Sequence, residues 1–105
     1  MAQYVLTYLG GNKPATPEEG QQHMEKYMSW LSALGKSAIS PANPLKGTRL
    51  VHSDGTVTEG GKTTMSGFTI IEADSMESAL SSAQSCPFLE TGGSLEVSEL
   101  MQMPK

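Results

Sequence analysis

The chain lacks most of what would announce a chemistry. Among 105 residues there is one cysteine, Cys86, and two histidines, His23 and His52. A lone cysteine closes no internal disulfide and supplies no cysteine pair for a zinc site. Bases are scarce: seven against eleven acids, a formal net charge of −4, with no Lys/Arg cluster. That balance argues against a nucleic-acid partner and against attraction to anionic lipid. Long apolar runs are absent too. The densest stretch is Phe68 to Ile71, far short of the roughly 18 residues that cross a bilayer. Met1 to Gly10 has neither the basic start nor the long apolar stretch of a signal peptide, so the expected location is the cytoplasm. The glycine pairs at 10–11, 60–61 and 92–93 lack the spacing of nucleotide-binding loops.

What is present is enough to fold. Hydrophobic residues make up 37% and charged residues 17%, the balance of one globular domain spanning residues 1–105. Gln3 to Leu9 reads as a strand with apolar residues on both parities. Thr16-Pro17-Glu18-Glu19 is a helix start, and Gly35 a stop. At about 100° per residue, His23, Met24, Tyr27, Met28, Trp30, Leu31 and Leu34 fall on one arc of that helix. Lys36 to Gly47, with Pro41 and Pro44, reads as a loop crossing the sheet edge. Asp54-Gly55 between short β-prone runs predicts a hairpin over Thr48–Thr58. Ser66 to Ala73 is a second two-faced strand, with Phe68 and Ile70 on one face and Thr69, Ile71 and Ala73 on the other. Asp74-Ser75-Met76-Glu77 has the spacing of a capping box, and Met76, Ala79, Leu80 and Ala83 form one helical face ending before Pro87. Ser94 to Leu100 is a last strand.

The order is β-α-β-(β)-α-β, an α+β ferredoxin-like βαββαβ plan. Both helices of that plan cover one sheet face, yet the strands are apolar on both faces. A second copy of the chain is the simplest cover, so a homodimer is expected.

Gly67-Phe68-Thr69-Ile70-Ile71-Glu72 leading into Ser75-Met76-Glu77-Ser78-Ala79, then Cys86-Pro87, then Gly92-Gly93-Ser94-Leu95-Glu96-Val97, resembles the YCII-related family, including its DGPF branch. The His23-Met24 pair and the Asp54-Gly55 hairpin occur in matching order, although Thr56-Val57 stands where the DGPF signature has Pro-Phe. The resemblance implies a dimeric α+β barrel. It also implies that the helix-one histidine pairs with an aspartate immediately before the proline of helix two as an acid-base site. Cys86 stands at that aspartate position, which removes the carboxylate that would fix the imidazole tautomer.

The candidate residues follow. His23 is the candidate base, against a plainer role as a helix-edge histidine bonded to a carbonyl. Cys86 is a thiolate partner for His23 or, more simply, a small buried hydrophobe. Tyr27 and Trp30 would wall a modest apolar pocket, with His52 a further ligand contact or a solvent-facing strand residue. Asp54 is explained as a turn former. The expected function is binding of an unidentified small apolar or aromatic molecule near His23, with the family resemblance implying proton-transfer or elimination chemistry that uses neither a metal nor an organic cofactor. The rival is a non-catalytic binding or regulatory module, since DGPF-type domains also accompany alternative sigma factors.

Overall fold

The structure, a computed structural model of the chain, describes residues 2–101. In chain order it runs β1 (Ala2–Leu9), α1 (Pro17–Leu34), β2 (Ala38–Pro44), β3 (Arg49–Val51), β4 (Val57–Glu59), β5 (Met65–Ala73), α2 (Met76–Gln84) and β6 (Ser94–Glu99). Four strands form one antiparallel sheet in the order β2-β5-β1-β6, the ferredoxin-like arrangement, while β3 and β4, among the described residues, pair only with each other.

Local chemistry sets the element ends. Thr16 caps α1 by accepting from the N–H of Glu19 at 3.1 Å, and the Glu19 carboxylate accepts from Ala15 N at 2.9 Å. Ser75, one residue later than the expected cap, accepts from Ser78 N at the start of α2. Parity then divides the sheet. Tyr4, Leu6 and Tyr8 of β1, with Thr69, Ile71 and Ala73 of β5, are buried. They pack with Trp30 and Leu31 of α1 and Ala79 and Ala83 of α2 in one core. Leu80, expected on that face, is exposed. The opposite parity forms the helix-free face, where Val5 pairs with Ile70 and Thr7 with Phe68. The polar residues Ser94, Glu96 and Ser98 of β6 flank it, paired with Leu9, Thr7 and Val5.

Two expectations are corrected here. The segment read as a loop from Lys36 to Gly47 contains β2, the edge strand of the sheet. Its two prolines are compatible with that place because an edge strand has one row of N–H groups that pairs with nothing. Its pairing with β5 is irregular, running Ala38↔Ile71, Ser40↔Ile70, Asn43↔Phe68. The Asn43 amide takes up part of the lost ladder by donating to Phe68 O at 3.1 Å. The hairpin expected to supply a strand of the main sheet is instead an insertion between β2 and β5. Among the described residues no helix is long and apolar enough to cross a membrane.

Candidate functional site

The arc of α1 that faces the sheet is only half covered. Trp30 and Leu31 are buried, whereas Met24 and Met28 are each 55% exposed. Between them and the outer half of β2 lies a groove of about 250 Å³, lined by His23, Met24, Tyr27 and Met28 on one side and Ala42 to Pro44 on the other, with Phe88 closing one end. Gly67 of β5 is part of its floor. A side chain there would meet Asn43 O at 2.9 Å and Pro44 Cα at 3.3 Å, so the bare backbone lets β2 approach and shape the wall. Phe88 is held just as tightly. A Cβ on Gly11 would lie 2.9 Å from its ring, and one on Gly93 would overlap the ring. The ring also stacks at a tilt on Tyr8, centroid to centroid 5.0 Å.

Beneath the groove lies a cluster of hydroxyls from three elements. Tyr8 Oη is 2.7 Å from Tyr27 Oη and 2.5 Å from Thr69 Oγ1. Thr69 donates to the carbonyl of Pro41 at 2.7 Å, and Tyr27 donates to the same carbonyl at 3.2 Å. The Tyr8 proton then has Thr69 and Tyr27 as acceptors within reach. Thr69 is wholly buried, and the cluster satisfies it without water. Burial pushes the Tyr8 phenol far above its ordinary value; the Thr69 bond opposes that rise and Tyr27 adds to it. Tyr8 is therefore a neutral hydrogen-bonding group at any physiological pH.

His23 lies at a junction. It lines the groove, and it also lines a second recess of about 370 Å³ between α1, the loop around Lys13 and the short 3-10 helix Pro87–Thr91. Phe88 is the other residue common to both. His23 is thus half-buried at a solvent-connected surface, not sealed in the core.

The structure separates the remaining candidates. Tyr27 lines the groove. Trp30 does not: it is 7% exposed in the core, and its indole N–H donates to Ser82 O at 3.0 Å and Ser85 Oγ at 3.2 Å. It pins α1 to the end of α2. Cys86 is 2% exposed among the core residues and lines neither recess. Burial raises its thiol above the ordinary value, against smaller lowering contributions from the Phe88 backbone and Tyr8. A buried neutral thiol is no thiolate partner for His23. His52 stands in the separate hairpin, its Nε2 3.0 Å from Thr58 Oγ1, and the groove of one chain does not include it. Asp54 is a turn residue: the Thr56 hydroxyl and N–H both donate to its Oδ1 and hold its carboxyl below the usual range. No group of three or more His, Cys, Asp or Glu residues among the described residues is placed to hold a metal.

Tyr8, Thr69, Asn43 and Phe88 were not singled out by sequence reading. The available signal was Thr69, a hydroxyl on the buried parity of β5, which demands a partner.

The family model of the YCII-related domain matches residues 3–104. The chain belongs to the YCII-related family. No curated protein matches this YCII-related chain. Among solved structures it is similar to the 5-chloro-2-hydroxyhydroquinone dehydrochlorinase TftG of Burkholderia phenoliruptrix AC1100 in complex with 2,5-dihydroxybenzoquinone. The identity is 16% over 96% of this chain and 95% of that one, with a TM-score of 0.60. At that identity the likeness establishes the shared fold.

Proposed function

We propose that this YCII-related protein binds a small planar molecule bearing phenol or quinone oxygens in the groove, and that His23 exchanges a proton with it. The observation that carries the reading is the pairing of a preformed apolar slot with one imidazole, His23, in its wall beside the phenols of Tyr8 and Tyr27. Met24, Met28 and Phe88 offer polarisable and aromatic contact to a flat ring. The ligand class is also that of the similar dehydrochlorinase, whose structure holds a dihydroxybenzoquinone. A cytoplasmic homodimer, with a second copy covering the Val5–Ile70 face, is part of the same proposal.

A second reading, binding without turnover, is favoured by Cys86. The position where the family resemblance puts an aspartate carries a buried, neutral thiol, so nothing there stabilises an imidazolium. Calorimetric titration with 2,5-dihydroxybenzoquinone, beside chloride release from 5-chloro-2-hydroxyhydroquinone, separates the two. The proton-transfer reading expects saturable binding and chloride release that His23→Gln reduces at least about 100-fold with an unchanged melting midpoint. Binding with no chloride release supports the second reading, and absence of binding at millimolar ligand refutes both.

A further inference from the structure

The groove is one half of a two-lobed depression. The groove and the polar recess share His23 and Phe88 in their walls, so the two lie side by side. The charges around the polar lobe are Lys13, Lys26, Glu19 and Glu90, with His23 between the lobes. Most are already occupied. Lys26 is bound to Glu90 at 3.1 Å, and the Glu19 carboxylate accepts from Ala15 N at 2.9 Å. Lys13 is paired with no carboxylate among the described residues. The loop that carries it is held in place, because the neighbouring Asn12 N–H donates to Thr91 O at 2.9 Å.

We infer that the natural ligand is a planar phenol-like molecule carrying one carboxylate on a short tether, the ring in the groove and the carboxylate at Lys13. This rests on the reading of the groove as a ring-binding site and deepens it. A single negative charge fits because, among the described residues that line the recess, Lys13 is the lysine with no carboxylate partner. A phosphate would bring close to two charges toward Glu19 and Glu90, with no second unpaired lysine or arginine among the described residues lining the recess to offset them. The Lys13 side chain is exposed, so its contribution is that of a surface ion pair and falls with salt.

The test compares two isosteric probes, 3-(4-hydroxyphenyl)propanoate and its neutral amide, by calorimetry at about 20 mM ionic strength. The acid should bind about two- to fivefold tighter than the amide. Lys13→Gln should abolish that preference and leave amide affinity unchanged. Glu90→Gln, which releases Lys26, should enlarge it. Equal binding of acid and amide by the wild-type protein, or a preference that survives Lys13→Gln, overturns the inference while the groove reading stands. Failure of both probes to bind overturns both.

Discussion

Tyr8 and Cys86 are acids whose neutral forms are favoured by the core, and this has a sign that can be measured. Their folded values lie above the ordinary 10.0 and 9.0, so between folded and unfolded values the folded state holds more protons. Their contribution to stability is fully present below the unfolded value and is lost as pH rises past it. The urea midpoint should be flat from about pH 6 to 8 and fall from about pH 9 upward. Tyr8→Phe should lower the midpoint at neutral pH by an amount equivalent to about 1 kcal/mol, for the lost hydroxyl, and make the alkaline fall shallower. An alkaline rise in stability would contradict the account. Thiol labelling at neutral pH should likewise be far slower for Cys86 in the folded protein than in urea; equal rates would mean the thiol is not buried. At this scale the sequence disclosed His23 and Tyr27, which share an arc of one helix. It did not disclose the Tyr8–Tyr27–Thr69 cluster, because those hydroxyls converge from positions as much as 61 residues apart and only strand pairing brings them together.

The groove exists because β2 lies close against β5 at Gly67, and that element-scale contact is open to direct test. Gly67→Ala places a methyl group against the backbone of Asn43 and Pro44, atoms that cannot swing aside as a side-chain tip can. The outer half of β2 must shift, at a cost of about 1 to 3 kcal/mol. The Leu45 N–H bond to Ser66 O, 2.9 Å long, should be weakened with it. Hydrogen exchange at Leu45 should accelerate well beyond that at β1 amides; unchanged exchange would show that β2 does not rest on that glycine. Both helices were legible from caps and arcs, since capping and the 3.6-residue period are local. β2 was not legible, because Pro41 and Pro44 mimic loop chemistry and only the rest of the sheet reveals an edge where they are tolerated. The same limit placed the Asp54-Gly55 hairpin in the main sheet: its turn chemistry is local, whereas its lack of other strand partners is not.

For the whole molecule, the decisive feature is a sheet with one face under helices and the other built around Val5, Leu9, Phe68 and Ile70. A face of that composition left in water would be an association surface. The proposed homodimer should sediment at twice the 11.2 kDa chain mass at micromolar concentration, and Val5→Lys should return it to the single-chain mass, whereas Tyr4→Lys, on the helix face, should unfold it. The central claim, that the groove takes a flat oxygenated ring, is tested most directly by the methyl resonances of the methionines. Met24 and Met28 line the groove, while Met65, Met76 and Met101 do not. On titration with 2,5-dihydroxybenzoquinone, the Met24 and Met28 methyl signals should shift saturably under ring current while the other three stay within error. Saturable shifts confined to Met65, Met76 or Met101, or none at all, would contradict the claim.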